Sequence, residues 1–132
     1  MSREETISKK VCDYVRAKYP IIDVIPVQGL FNLQCHRNSV QYAKDNPEYG
    51  VAQVIYTSGG KNILHYVNTK AGEYFETTLG HESQEHEYHL IKHIHKSDYE
   101  YIRGEFSRDL DVWLMQFTNW FDRNVLRIER VL

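Results

Sequence analysis

The chain predicts an α+β fold: an N-terminal helix and a cysteine-bearing helix packed on an antiparallel sheet of about four strands, with a long C-terminal helix. Three observations carry this expectation. Helical apolar spacing is confined to the two ends of the chain and one short stretch near residue 40. Between residues 51 and 95 the pattern changes to alternation at period two. That middle segment is punctuated by the turn signals Ser58-Gly59-Gly60 and Thr69-Lys70-Ala71-Gly72.

Each element has a local reason. From Arg3 to Tyr19, Ile7, Val11, Tyr14, Val15 and Lys18 recur at helical spacing. Ser2 supplies a cap, and Glu4 and Glu5 favour the dipole of the first turn. Pro20 ends this helix, because a residue before proline avoids helical angles. Ile21 to Val27 is extended, with Pro26 arguing against a central strand. After Gly29, Asn32 is the predicted N-cap of a second helix running to about Asp45, which Asn46-Pro47 and Gly50 terminate. Cys35, Ser39 and Tyr42 share one face of it.

Three strands follow, at Val51 to Thr57, Asn62 to Asn68, and about Tyr74 to Thr78. Residues 80–87 are polar and read as a loop, and Tyr88 to His95 alternates as a fourth strand. Ser97-Asp98 starts the last helix, predicted from Tyr99 to about Arg130 with Gly104 a point of interruption. Its apolar stripe runs from Phe106 to Ile128 and reads as core. It is also broad enough to dock a second copy, so a homodimer through the C-terminal helix is one expected assembly.

Composition narrows the function classes. At 132 residues the chain is expected to form one domain, with 42% hydrophobic and 26% charged residues, both ordinary for a soluble protein. The net charge of −2, with both signs interspersed, argues against nucleic acid as a partner. The opening MSREETISKK is charged and unlike a signal peptide. No apolar run reaches the ~20 residues of a membrane span, so no membrane partner is expected. Cys12 and Cys35 are too few for a disulfide framework and read as free thiols in a cytoplasmic protein. Walker A, GxGxxG and GxSxG motifs are absent, and no cofactor is expected.

The residues that carry chemistry are Cys35, His65 and Glu76. A thiol in the first turn of a helix gains thiolate character from the helix N-terminus and from a nearby imidazole. His65, on a strand, is the candidate base, and Glu76 is the candidate group that orients it. Both lie about equally far from a turn centred on Lys70-Ala71. They are therefore expected to face each other across the hairpin, with Cβ atoms roughly 4.5–5.5 Å apart. A one-residue bulge at Gly72 would make them diagonal. Asn68 and Glu73 are alternative orienters that point to the other face of regular strands. His36 is read as a surface residue, a cap or a second imidazole.

The order Cys at a helix start, His on a strand and an acidic residue on the next strand resembles the papain-like and transglutaminase-like cysteine hydrolase superfamily. NLQCHRNSVQYA resembles its nucleophile helix and HYVNTKAGEYFETTLG its histidine hairpin, over about residues 28–80. The resemblance implies a single domain of that type and a hydrolase or acyl transferase acting on a peptide, amide, thioester or protein substrate. It also implies an oxyanion-stabilising glutamine upstream of the nucleophile, for which Gln28 is the candidate and Gln34 the adjacent one. Glu76 departs from the usual Asp or Asn, and His36 replaces the aromatic residue that often follows the nucleophile.

Two readings compete. Cys35 as an inert half-buried helix residue and His65 as a satisfied core histidine would make the chain a non-catalytic binding or inhibitory module acting through its aromatic C-terminal helix. Alternatively His89, His93 and His95, within a histidine-dense segment, would bind zinc or iron, His93 and His95 sharing a strand face.

Overall fold

A computed structural model gives the fold, and it describes every residue except 31 and 33; residue 33, within the nucleophile-helix stretch, lies outside the described residues. Helix α1 (Arg3–Lys18) starts at a capping box: the Ser2 hydroxyl accepts from the Glu5 amide while the Glu5 carboxylate accepts from the Ser2 amide. Its buried stripe is Ile7, Val11 and Val15, each worth roughly 1.5–3 kcal/mol on burial.

The sheet is larger than expected and mixed. Its strands are β1 (Ile21–Ile22), β2 (Val24–Pro26), β3 (Gly50–Ser58), β4 (Lys61–Lys70), β5 (Glu73–Glu76) and β6 (Glu87–Ile94). They lie in the order β1-β6-β3-β4-β5-β2, with β2 parallel to β5 and the other pairs antiparallel. The expected antiparallel strands are the centre of this sheet: β3, β4 and β5 follow one another as a meander, and the fourth, β6, returns to pair with β3. The segment 21–27, with only a few backbone partners to each side, supplies both edges. Pro26 is tolerated there because it sits on an edge strand.

That arrangement has a geometric consequence. β1 and β2 are opposite edges of the sheet, yet only Asp23 separates them in the chain. Consecutive Cα atoms are about 3.8 Å apart, so the sheet must curl until its edges nearly meet. The curl gives it a concave inside and a convex outside. Ala52, Val54, Tyr56, Val67 and Tyr88 pack on the inside. On the outside, Ile55 and Leu64 meet α1 and Trp113, and Val51 and Tyr66 meet Cys35, Val40 and Ala43.

Helix α2 spans Cys35–Asp45. The N-cap position is Gln34, with no side-chain cap, rather than Asn32. Asn32 instead uses its side-chain oxygen to accept from the Gln34 amide at 3.1 Å and from Asn38 Nδ2 at 2.8 Å. The polar segment 80–87 is ordered as a 3-10 helix at Gly80–Glu85 before β6 begins.

The long C-terminal helix is two helices and a tail. A 3-10 helix at Lys96–Tyr101 leads into α3 (Ile102–Phe117), with Gly104 inside it, and α4 (Trp120–Asn124) follows. Asn119 breaks the run because it makes a capping box with Asp122, starting a new helix. The Arg3 guanidinium grips Asp122 with two bonds of 2.9 and 3.0 Å, tying α4 to α1. Residues 125–132 are not helical, and Ile128 and Val131 return into the core beside α1.

Candidate active site

The site lies where β5 leaves β4. The turn Ala71-Gly72 joins these strands with φ of 52° and 79°, the left-handed pair that a two-residue hairpin needs. Pairing runs Lys70 to Glu73, Thr69 to Tyr74 and Asn68 to Phe75. The turn is thus centred on Ala71-Gly72, one residue later than expected. Continued by one step, the register sets Glu76 beside Val67, so His65 and Glu76 are diagonal neighbours on one face, without a bulge. The long glutamate arm spans the diagonal: His65 Nε2 lies 2.7 Å from Glu76 Oε1.

Glu76 is fully buried and completely partnered. Besides His65, Oε1 accepts from the Tyr88 hydroxyl at 2.8 Å. Oε2 accepts from the Thr78 and Leu79 amides at 3.0 and 3.2 Å. Burial by itself raises a carboxyl pKa, but the bonds and charge from His65, with those of Tyr88 and Thr78, hold Glu76 below its ordinary value. It is an anion with a fixed position.

Cys35 reaches this pair from the outer face. β5 ends at Glu76, so the edge of β4 beyond Val67 lacks a strand neighbour there. The N-terminus of α2 fills that place. The thiol lies near the His36 and His65 side chains and the Tyr66 backbone N–H, each of which favours its ionised form. With Nε2 turned to Glu76, His65 has Nδ1 left to serve the sulfur.

The electrostatics follow from this geometry. Burial would push the Cys35 thiol up. The His36 and His65 bonds, the His65 charge and the Tyr66 N–H outweigh it and bring the thiol down to about 6. Burial would likewise lower His65, but the Cys35 and Glu76 bonds and charges raise it to about 9. Between those values the favoured state is a thiolate beside an imidazolium, backed by a carboxylate. The amides of the first turn of α2, Cys35 among them, have no intrahelical acceptor and face the same end.

Polar side chains lock the parts together. Asn38 Nδ2 bonds Thr78 Oγ1 at 3.1 Å, joining α2 to the Glu76 loop. Asn68, expected on the opposite face from His65, is there. Its Nδ2 donates to the Ser39 and Gly50 carbonyls at 2.8 and 3.1 Å, and its Oδ1 accepts from Thr77 at 2.6 Å. Asn68 therefore holds α2 on the sheet. Glu73 is exposed at the hairpin end. Gln28 sits beside the Glu76 strand and donates from Nε2 to the Thr77 carbonyl at 3.1 Å. Gln34, the adjacent candidate, is exposed at the helix N-cap.

Tyr88 and Tyr56 are site residues that sequence reading missed. Tyr88 lies on β6, three strands from β5. Flat strands at ~4.8 Å would put them roughly 14 Å apart, so only the curl brings its hydroxyl to Glu76. Tyr56 packs its ring edge to face with His65 at 5.2 Å, and burial raises its hydroxyl to about 12. The Thr78 and Leu79 contacts had a sequence signal. A carboxylate followed by Thr-Thr-Leu can fold back onto its own next amides.

The histidine-rich segment is not gathered into one cluster: among the described residues no group of three or more His, Cys, Asp or Glu side chains is placed to hold an ion. The reason is a register shift. β6 pairs Leu90 with Val54 but Lys92 with Gln53, leaving Ile91 extra. His89 then pairs with Ile55 on the outer face and His93 with Ala52 on the inner face. His89 bonds the Tyr19 carbonyl and Glu87, while His95 lies past the strand and caps the following 3-10 helix.

Among the described residues no helix is long and apolar enough to cross a membrane. Comparison with protein-family models, curated proteins and solved structures gives no match.

Proposed function

We propose that this protein is a small cysteine hydrolase or acyl transferase acting on an amide or thioester. The observation that carries the reading is the 2.7 Å bond from His65 to the buried Glu76 carboxylate, with the Cys35 thiol near the same imidazole and its ionised form favoured by it. This is the arrangement that the papain-like and transglutaminase-like resemblance implies.

In the proposed reaction the Cys35 thiolate attacks the carbonyl carbon, forming a C–S bond and an oxyanion. The free amides at the start of α2, with the second hydrogen of Gln28 Nε2, stabilise that charge. The imidazolium of His65 gives its Nδ1 proton to the leaving nitrogen or sulfur as its bond to carbon breaks. The neutral imidazole then takes a proton from water, or from an acceptor amine or thiol. The resulting nucleophile releases the acyl group and regenerates the thiolate. Glu76 holds the ring and its charge throughout.

The test is acyl trapping. A p-nitrophenyl ester is expected to leave an acyl adduct on Cys35, seen by intact mass spectrometry, with a burst of one nitrophenolate per chain. Cys35→Ala should abolish the burst and His65→Ala should slow it at least a hundredfold. An equal burst in Cys35→Ala would refute the nucleophile.

A second reading, a binding module that docks another copy through its C-terminal helices, is supported by one observation. Val112, Met115, Trp120 and Phe121 are 53–67% exposed on α3 and α4. Sedimentation velocity should show a dimer lost in Trp120→Ser; a monomer at all concentrations would refute it.

A further inference from the structure

A groove of about 690 Å³ runs between α2 and the 3-10 helix and first turn of α3, lined by Gln34, His36, Arg37, Lys44, Glu100 and Arg103 among others. Two of these residues flank Cys35 in the chain. His36 is the wall between groove and sulfur: its ring lines the groove, stacks on Phe106 at 6.0 Å and 21°, and favours the ionised form of the thiol. Cys35 itself is buried behind His36, so a molecule seated in the groove touches both chain neighbours of the nucleophile.

The groove's charge is unlike that of the whole chain. The protein carries a net charge of −2, yet the groove holds three cations, Arg37, Lys44 and Arg103, against one carboxylate, Glu100. Among the described residues none of the three cations takes part in an ion pair. Arg37 makes a 3.4 Å bond to the neutral Gln34 side chain. Unpaired guanidinium and ammonium groups lining one concavity select carboxylates.

We propose that this groove is the substrate cleft and that it takes an acidic peptide segment whose scissile or reactive carbonyl lies at Cys35. The proposal rests on the catalytic reading for its chemistry but not for its binding. Arg37 and Lys44 are seven residues apart on α2, a rise of roughly 10 Å. An extended peptide covers that in about three residues. The preferred ligand thus carries acidic side chains about three positions apart on one side of the reacting carbonyl. A nucleic acid is disfavoured because three cations are a short run and the rest of the chain is net acidic.

The experiment uses the full chain as Cys35→Ala, which binds without turnover. Fluorescence anisotropy follows six-residue peptides carrying an uncharged dye: one with two glutamates three apart, one with lysines in their place, and one with serines. The acidic peptide is expected to bind at least tenfold tighter than the serine peptide, with affinity falling as salt rises. Arg37→Glu with Arg103→Glu should remove that preference, whereas Lys9→Glu with Lys10→Glu on α1, an equal charge change elsewhere, should not. Equal binding of acidic and serine peptides, or an equal loss in both double variants, would overturn the groove. Tighter binding of a short single-stranded oligonucleotide would overturn the peptide assignment. Failure of acyl trapping at Cys35 with the acidic preference intact would strike the catalytic reading alone.

Discussion

Replacing Glu76 with glutamine is the most informative single change, because it keeps the side chain's shape and removes its charge. In the native site the carboxylate accepts four bonds, from His65, Tyr88 and the Thr78 and Leu79 amides. A glutamine has one oxygen and one NH2, so one pair of donors must face another donor. Hydrogen bonds to a charged group are worth about 1.5–3 kcal/mol. Losing that much from the imidazolium corresponds to about one to two pH units in total, at 1.36 kcal/mol per unit.

The sign follows from the pair. With less support for the imidazolium, the Cys35 thiol rises from about 6 and His65 falls from about 9. Iodoacetamide alkylation of Cys35, followed by intact mass spectrometry, is expected to have its midpoint near pH 6 in the native protein and about one unit higher in Glu76→Gln. The pH range of ester acylation should narrow from both sides. Stability provides a second readout. Glu76 has a depressed folded pKa, so its contribution is complete above the unfolded value near 4.5 and is lost as pH falls through the lower folded value. The native protein should therefore unfold at higher denaturant than Glu76→Gln at pH 6, with the gap closing below pH 4.5. An alkylation profile that Glu76→Gln leaves unmoved, midpoint and slope, would refute the coupling of carboxylate to thiol.

Three further outcomes are expected. Tyr88→Phe deletes one donor to Glu76 and should cost about 1 kcal/mol in chemical denaturation, with a smaller upward move of the alkylation midpoint. Asn68→Ala leaves the Ser39 and Gly50 carbonyls and the Thr77 hydroxyl without their partner; urea titration should show a loss of about 2–3 kcal/mol, against a negligible one if Asn68 were only a surface residue. Gly80→Ala puts a Cβ 3.2 Å from Gly29 at a φ of +59°; a loss of about 1–3 kcal/mol is expected by denaturation, and an unchanged midpoint would refute both the close contact and the backbone strain at this position.

Helix α1 was legible because its information is local: Ser2, Glu5 and a stripe at helical spacing lie within one segment, and the structure keeps all of them. The β3-β4-β5 meander was legible for the same reason, since each turn carries glycine, Gly59-Gly60 in one and Gly72 in the other, where the chain takes a positive φ. The C-terminal break was written too, as Asn119 and Asp122, but it was hidden beneath an apolar stripe that continues through it. What the hairpin register could not supply from the sequence was the centre of its turn. One residue there decides whether His65 and Glu76 are opposed or diagonal.

The sequence by itself determined α1, the body of α2, the central strands and the three chemical groups: a thiol at a helix start, an imidazole on one strand and a carboxylate on the next. Only the tertiary structure decided what surrounds them. The placement of Ile21–Ile22 and Val24–Pro26 on opposite edges of one sheet forces the curl, and the curl brings Tyr88 from a distant strand onto Glu76. The bulge opposite Gln53 and Val54 puts His89 and His93 on opposite faces, where alternation alone would have set them on one. Both are properties of how strands pair over long separations, and pairing is fixed by burial of whole faces rather than by any local run of residues.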